Sequence, residues 1–404
     1  MDCKERGGES RVDFSYVDKL LKHFTEIGPC GCALSVSHHG KVIHEQYIGR
    51  ERLNEKTPMQ PSTMFRMYSC SKVITITAAM ILYERGLLLL DDPVENYLPC
   101  YKNALYYDYN GSDFTQVYPS PQKLTIRHLM TMTAGIPYGG ANNLTQSNIA
   151  SIGAAFPPHP MTLQEFVQEK LSKVPLAFIP GSHWNYGYGI DVLGAIIEVI
   201  SQKTLFEFMK EELFEPLDMP NTVFHLREEH WGRLAGIYTR QSGQLVADTA
   251  FDYAMHKDYL FESGGGGLVS TLEDMTHFAA MLSMGGTYQQ RKVLSPRTVR
   301  LIGSNHLRGV AMEDFQKVQR CVWPNMLGYG YGLGVRVMVD PATGGSNGTV
   351  GEFGWSGSAG TWSLIDPENE LAIVYLQQLM PASANLQTYC HPRLRNAVYS
   401  QLDI

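Results

Sequence analysis

The chain is short of positive charge and contains few cysteines. Its 404 residues include 33 Lys and Arg against 40 Asp and Glu, which gives a formal net charge of −7. A nucleic-acid partner is therefore disfavoured, because proteins that bind polyanions usually carry clustered basic residues. The seven cysteines are odd in number and scattered, which is not typical of a disulfide framework. We predict reduced, mostly buried thiols.

Long apolar runs are also missing. The longest candidate, residues 73–90, is interrupted by threonines, charged residues and a glycine, so we expect no membrane span. Residues 1–11 are polar and lack the apolar core of a secretory signal, which predicts a flexible N-terminus and, if no leader has been removed, a cytoplasmic location. Hydrophobic residues nevertheless make up 44% of the chain, enough for a large core.

Hydrophobic periodicity places strands near both ends of the chain. A helix is predicted over residues 15–27, followed by a hairpin of strands over 33–37 and 42–47. Towards the C-terminus the same patterns predict three more strands and a last helix: 331–339, 360–365, 371–377 and 393–402. Sequential hairpins indicate an antiparallel sheet, and the terminal helices would cover one of its faces.

The middle of the chain has helical periodicity instead. Five helices are predicted there: 124–132, 163–171, 190–201, 205–213 and 272–284. The fold class is therefore α/β (α+β), with a sheet domain formed by residues 12–95 and 260–404 and a mainly helical inserted domain of residues 96–259. A cleft between two such parts is a common place for a ligand site. Residues 101–122 are rich in Tyr, Asp, Ser and Pro and predict a long loop.

A Ser-x-x-Lys pattern is the first candidate for chemistry. Ser69 and Lys72 lie at the start of a strongly apolar segment that predicts a buried helix ending near Gly86. The two side chains then share one helix face. Because burial disfavours an ammonium ion, we expect Lys72 to serve as a neutral amine that takes the proton of the Ser69 hydroxyl.

Two other serine patterns are weaker candidates. Ser120 and Lys123 repeat the spacing, but they precede no apolar helix, so we interpret them as the end of a loop. Ser346 lies in a Gly-x-Ser-x-Gly match, but a nucleophile elbow needs a strand before it and a helix after it. The surrounding turn residues favour a hairpin loop at Ser346.

Two further segments carry residues that could complete a site. Tyr186 and Tyr188 lie just before the helix predicted from residue 190, where a tyrosine beside a cation is a plausible base. The glycine-rich segment 354–360 precedes a predicted strand, and its exposed backbone N–H groups could bind an oxyanion. Composition alone favours a wall position for the tyrosines and a simple turn for the glycine-rich segment.

Taken together and in this order, the three segments resemble the three motifs of the serine β-lactamase and penicillin-binding-protein superfamily. Residues 87–99, 125–136 and 265–271 are similar to this superfamily as well, and the resemblance extends from residue 14 to the C-terminus. It is strongest to the branch with class C β-lactamases and family VIII carboxylesterases. A β-lactamase-like α/β fold is implied.

The resemblance also implies roles for individual residues. Ser69 would be the acylated nucleophile, Lys72 its proton partner and Tyr186 the general base. Backbone N–H groups of Ser69 and Ser358 would form the oxyanion hole. The remaining candidates for the oxyanion and substrate-binding region are Trp355, Ser356, Gly357 and Tyr188. The reaction implied is acyl transfer through a covalent acyl-enzyme, without a metal or cofactor.

Two departures from the family pattern narrow the expected substrate. Tyr188 stands where the Tyr-x-Asn motif has an amide, and Trp355-Ser356-Gly357 replaces Lys-Thr-Gly. The missing lysine is a cation that would favour a substrate carboxylate. We therefore expect a carboxylesterase- or amidase-type serine hydrolase with a small-molecule ester or amide substrate.

Other activities remain open at this point. One is a β-lactamase, D-Ala carboxypeptidase or D-aminopeptidase, and another is an acyltransferase in which an alcohol or amine replaces water. A third is a non-catalytic binding protein on the same fold, since fold does not fix function.

Overall fold

A seven-stranded antiparallel sheet is assembled from the two ends of the chain. The computed structural model describes residues 12–108, 115–153, 161–381, 386–402 and 404. The strands are β1 (Gly31–His38), β2 (Lys41–Gly49), β3 (Tyr329–Tyr331), β4 (Arg336–Met338), β5 (Phe353–Gly354), β6 (Trp362–Asp366) and β7 (Leu371–Gln377). Their order is β3-β4-β5-β6-β7-β1-β2, so the pair β7–β1 joins a C-terminal strand to an N-terminal one.

The interior strand β7 shows how the sheet is buried on both faces. Ile373 and Tyr375 pack on one side with α1 (Ser15–Ile27) and the last helix, whereas Val374 lies in the larger core on the other side. Alternate residues of a strand point to opposite faces, so an uninterrupted apolar strand fits between two layers. The larger core also contains residues of the helix Leu272–Ser283.

Most of the predicted elements at the two ends of the chain are confirmed. The first helix, the hairpin and the strand β7 are found where the patterns predict them. The single strand predicted over residues 331–339 is wrong, because β3 and β4 are separated by a turn in which Gly334 has a φ of 69°. The last helix spans Gln387–Tyr399 rather than 393–402 and contains Pro392.

The middle of the chain is helical as predicted, but several helices are shorter. The α-helices there are Ile126–Met130, Leu144–Ile152, Leu163–Glu165, α3 (Gly189–Ser201), Leu205–Met209 and Glu228–Trp231. Two of the predicted helices continue as π-helical turns, at Phe166–Lys170 and Lys210–Phe214. The segment 101–122 contains paired strands, Leu105–Tyr107 and Val117–Pro119, with residues 109–114 outside the described ranges. None of the helices in the described ranges is long and apolar enough to cross a membrane.

The remaining helices lie directly after Ser69 and in the later part of the chain. They are α2 (Ser71–Glu84), Leu272–Ser283, Pro296–Ile302, Gly309–Cys321 and Pro341–Gly344. Two short strands, Met64–Arg66 and Val269–Thr271, pair antiparallel beside α2. The flexible N-terminus predicted for residues 1–11 lies outside the described residues.

The cysteines of the described ranges are free thiols, as predicted, but not all of them are buried. Cys32, Cys70 and Cys390 are buried, whereas Cys100 and Cys321 are exposed. Burial raises the pKa of Cys32 to about 12 and that of Cys70 to about 11. The buried thiols are therefore protonated and poorly reactive at neutral pH.

We predict that Phe24→Ala lowers the free energy of unfolding by about 3–5 kcal/mol, because it opens a cavity between α1 and the sheet. Phe24 is fully buried and meets the Tyr375 ring edge-on, with 6.3 Å between the ring centroids. Tyr16→Ala, at a 58% exposed position of the same helix, is the matched control. Urea unfolding measures both variants, and equal losses would contradict the packing described for α1.

Candidate active site

The serine of the first motif lies in a tight turn in front of a buried helix. Ser69 is the middle residue of the 3₁₀ turn Tyr68–Cys70, and α2 begins at Ser71. Tyr68 has a φ of 45°, a backbone conformation that costs a non-glycine residue about 1–3 kcal/mol. Strain of this kind is concentrated at functional sites, where the surrounding structure enforces it.

Burial of the helix after the motif is confirmed. The side chains of α2 from Ser71 to Leu82 are all buried, including that of Lys72, which is 0% exposed. A lysine in such a position must find acceptors for its ammonium protons inside the protein. The contacts of Lys72 therefore define the site.

Three oxygens surround the Lys72 Nζ atom. It donates to Ser69 Oγ at 3.3 Å, to the Tyr138 hydroxyl at 2.9 Å and to the Gly265 carbonyl oxygen at 2.5 Å. It also lies 4.8 Å from the ring centroid of Tyr186, over the aromatic face. Three donors thus meet three acceptors, and the serine hydroxyl lies within reach of the amine.

Tyr186 joins the pair through its ring and is also bonded to the third motif. Its hydroxyl accepts a hydrogen bond from the Trp355 indole Nε1–H at 2.8 Å. The phenol hydrogen-bonded to Lys72 is that of Tyr138, which sequence analysis did not single out. Its position two residues after the family-like segment 125–136 was the available signal. Burial raises the pKa of Tyr138 well above its usual value, so this phenol stays neutral.

The two tyrosines are brought together by a short antiparallel bridge between Pro137 and Gly187. The Tyr188 N–H donates to the Ile136 carbonyl at 2.9 Å, and the rings of Tyr138 and Tyr186 are 5.6 Å apart between centroids. Glycine is needed at 187, because a Cβ atom there would lie 2.0 Å from the Ile136 carbonyl oxygen.

Tyr188 lies beneath the site rather than in its wall. It is 1% exposed and is not among the described residues that line the cavity over Ser69. Its ring meets those of Tyr138 and Phe166, with centroid distances of 4.6 and 5.5 Å. The substrate contact expected for Tyr188 does not fit this position, and the side chain instead supports Tyr138 from behind.

The third motif lies against the turn that carries Ser69. The Gly357 N–H donates to the Thr361 carbonyl at 2.8 Å, and the Thr361 hydroxyl donates to the Met67 carbonyl at 3.0 Å. A Cβ atom at Gly357 would lie 2.4 Å from that Met67 oxygen. The close approach brings Ser356 and Ser358 into the cavity wall beside Ser69.

A cavity of about 290 Å³ opens over Ser69. Its lining is aromatic and small, and the residues are Tyr68, Ser69, Tyr138, Tyr186, Ser263, Gly265, Gly266, Trp323, Met326, Trp355, Ser356, Gly357, Ser358 and Gln387. None of the described residues in this lining carries a charged side chain. Trp355, the first residue of the third motif, is part of this uncharged wall.

The two alternative serine patterns lie away from this cavity. Lys123 is exposed and forms an ion pair with Glu95 at 2.8 Å. Ser346 follows the short helix Pro341–Gly344, and its Oγ accepts the Gly348 N–H at 2.9 Å. Both patterns are turns, as predicted. In the described part of the chain no cluster of three or more His, Cys, Asp or Glu side chains forms a metal-binding group.

We predict that Gly187→Ala lowers the free energy of unfolding by about 1–3 kcal/mol, because the added methyl group must push the two bridged segments apart. Gly232→Ala is the matched control, since a Cβ atom there meets nothing within 4 Å. That variant should stay within about 0.5 kcal/mol of the parent chain. Thermal or urea unfolding measures both, and a harmless Gly187→Ala would contradict the close approach.

Comparison with known proteins finds relatives that match most of the chain. Protein Rv1367c of Mycobacterium tuberculosis is 30% identical over 356 residues, which are 87% of this chain and 86% of the relative. Esterase EstB of Burkholderia gladioli is 26% identical over 388 residues, which are 92% of this chain and 91% of the relative.

A solved structure and a family model give the same result. The structure of EstCE1, described as a hydrolase with promiscuous acyltransferase activity, superposes with a TM-score of 0.79 at 24% identity, covering 95% of this chain and 97% of EstCE1. This likeness confirms the expected fold. The family model described as Beta-lactamase matches residues 17–389. The chain belongs to the Beta-lactamase family.

Proposed function

We propose that the protein is a serine hydrolase that forms a covalent acyl-enzyme on Ser69 and hydrolyses small, uncharged esters or amides. The observation that carries this proposal is the buried Lys72 amine, whose Nζ lies 3.3 Å from the Ser69 hydroxyl at the base of an aromatic cavity. A nucleophile next to a buried base is the arrangement that acyl transfer requires.

The first half of the reaction follows from this pair. Lys72 takes the hydroxyl proton, and Ser69 Oγ attacks the substrate carbonyl carbon. Backbone N–H groups of Ser69 and Ser358, both in the cavity lining, would stabilise the oxyanion. The alcohol or amine then leaves with a proton.

Tyr186 is suited to moving protons to the leaving group and from the incoming water. Its hydroxyl oxygen accepts the Trp355 Nε1–H, and its ring faces the Lys72 amine. Tyr186 is therefore placed to pass a proton to the departing alcohol or amine and, once that group has left, to take a proton from the incoming water. Tyr138, a neutral phenol, would instead hold the Lys72 amine in place.

The cavity wall supports a neutral acyl group over a carboxylate-bearing one. Trp323, Trp355 and Met326 provide apolar surface, and the lining described above offers no cation for a carboxylate. The esterase name of EstB agrees with this preference. We therefore expect β-lactams and D-Ala peptides to be poorer substrates than simple esters.

Acyl transfer to an alcohol is the second candidate, because EstCE1 is described as having promiscuous acyltransferase activity. The acyl-enzyme on Ser69 would be the same, and an alcohol would replace water as the second nucleophile. The ratio of ester product to free acid in the presence of added alcohol would separate the two activities.

We expect Ser69→Ala to reduce turnover of p-nitrophenyl acetate and butyrate by about 10³-fold or more, because the acyl-enzyme cannot form. The parent chain should gain one acyl mass on Ser69 during turnover and should hydrolyse nitrocefin more slowly. Ser346→Ala, which removes a part-buried serine hydroxyl outside the cavity lining, is the matched control and should retain full activity. Undiminished turnover by Ser69→Ala would overturn the assignment.

Trp355→Phe should lower kcat by about tenfold while changing KM little, because it keeps a ring in the wall but removes the N–H that bonds Tyr186. Trp231→Phe, outside the cavity lining, serves as the control. Steady-state kinetics with p-nitrophenyl butyrate separates kcat from KM. A change in KM alone would assign Trp355 to substrate packing rather than to Tyr186.

A further inference from the structure

A buried carboxylate lies behind the Ser69–Lys72 pair. Asp191 is in the first turn of α3 and is 1% exposed. Removing a carboxylate from water is costly unless hydrogen bonds and opposite charge compensate. The partners of Asp191 therefore show what keeps it in the interior.

Only one of its two oxygens is hydrogen-bonded. Oδ1 accepts the Ser263 hydroxyl at 2.6 Å and the Gly265 N–H at 3.1 Å. Oδ2 is buried and has no hydrogen-bond partner among the described residues. Two donors on one oxygen fit an ionised carboxylate, but they leave part of its charge to be balanced by a cation.

The group that can balance it is Lys72 once that amine is protonated, and the two are connected through Gly265. The Gly265 N–H donates to Asp191, and the carbonyl of the same residue accepts from Lys72 Nζ at 2.5 Å. The packing is tight, since a Cβ atom at Gly265 would lie 2.5 Å from Asp191 Oδ2. Burial raises the pKa of Asp191, and the charge of Lys72 opposes that shift.

The Gly265 loop is fixed from a second side as well. The Thr75 hydroxyl of α2 donates to the Gly264 carbonyl at 2.7 Å. The Leu268 N–H donates to the Ser71 hydroxyl at 3.2 Å. The loop is thus bound to α2 by Thr75 and Ser71 and to α3 by Asp191, so the Gly265 carbonyl has little freedom to move away from Lys72.

This carbonyl decides which way the lysine lone pair points. A carbonyl oxygen can only accept, so one Nζ–H is always directed at Gly265. A neutral amine has one further N–H and one lone pair, and the Tyr138 hydroxyl oxygen can accept that N–H. The lone pair is then left for the Ser69 hydroxyl, which lies 3.3 Å away.

We propose that Asp191 is the positioning residue of this site: it holds the Gly265 carbonyl against Lys72 and balances the ammonium that forms when Lys72 takes the serine proton. The proposal rests on the function proposed above. In that step the Ser69 O–H bond breaks and an Nζ–H bond forms. The freed oxygen electron pair bonds to the substrate carbonyl carbon, whose π pair moves to the oxygen. Lys72 gains one positive charge as the substrate oxygen gains one negative charge. The carboxylate of Asp191 stabilises the positive charge on Lys72.

The groups that face Asp191 determine how its removal should change the pH profile. Besides Lys72, they are Tyr138 and Tyr188, and burial together with the charge of Asp191 raises the pKa of both phenols. Glu262, the neighbour of Ser263, is turned away and accepts the Phe206 N–H at 2.7 Å. Lys72 is therefore the basic side chain that interacts with Asp191 at this point.

Asp191→Asn tests the proposal through the pH dependence of p-nitrophenyl butyrate hydrolysis. Without the carboxylate the amine is a weaker base, so it loses its proton at lower pH and the ammonium formed in the transition state lacks a counter-charge. We expect the plateau of kcat to fall about tenfold or more, KM to change less than about twofold, and the acid limb of kcat/KM to move down by about one pH unit. An unchanged plateau and limb in the folded variant would overturn the proposal.

Two further variants separate this role from general destabilisation. Asp274→Asn makes the same change at another 1% exposed aspartate, whose carboxylate accepts from Asn221, Thr222 and Thr271. It should lower Tm and leave the kcat plateau and the acid limb in place. Ser263→Ala keeps the charge of Asp191 but removes one hydrogen bond, so kcat should fall by a smaller factor with the limb unmoved.

The outcomes distinguish this proposal from the proposed function. If the parent chain hydrolyses esters and Ser69→Ala does not, the proposed function stands. Asp191→Asn and Ser263→Ala then test the positioning role of Asp191 separately. A limb shift equal in Asp274→Asn and Asp191→Asn would reject the specific role of Asp191. If Asp191→Asn does not fold, Ser263→Ala decides, and parental kcat in that variant would reject the positioning role. A parent chain that neither turns over esters nor reacts with a fluorophosphonate at Ser69 would remove both proposals.

Discussion

The site depends on one buried amine. Lys72 is 0% exposed, and each of its possible protons meets an oxygen: the Ser69 hydroxyl, the Tyr138 hydroxyl and the Gly265 carbonyl. A buried ammonium left without these partners would be costly, so the surrounding elements must be held where they supply them. Three segments supply these oxygens: the strained turn at Ser69, the segment of the Pro137–Gly187 bridge that carries Tyr138, and the Gly265 loop.

Glycines allow these segments to pack closely where their backbones are in contact. Gly187 and Gly357 lie so close to the Ile136 and Met67 carbonyl oxygens that a Cβ atom would not fit. The tyrosines and the Trp355 segment can therefore approach the Ser69 turn from two sides. The wall they form with Trp323 is aromatic and has no charged side chain among the described residues.

The agreement between sequence and structure is best where the pattern is long and local. The helix over residues 15–27 and the strand over 371–377 match because many residues of each repeat one period. The strand predicted over 331–339 failed because a turn at Gly334 interrupts it, and the π-helical turns after Leu163 and Leu205 follow no sequence period. Such local breaks are set by tertiary packing, which overrides the periodicity of a short segment.

The sequence by itself determined the layered α/β fold and the family, and it singled out Ser69 and Lys72 as a pair on one helix. The sequence motifs are local, and the consecutive apolar residues of α2 are enough to predict that this helix is buried. Only the tertiary structure decided which phenol bonds Lys72, that Tyr188 lies beneath the site, and that Asp191 connects to Lys72 through Gly265. These are contacts between segments far apart in the chain. Their geometry depends on hydrogen-bond direction and close packing, and neither of these produces a periodic pattern of residues in the sequence.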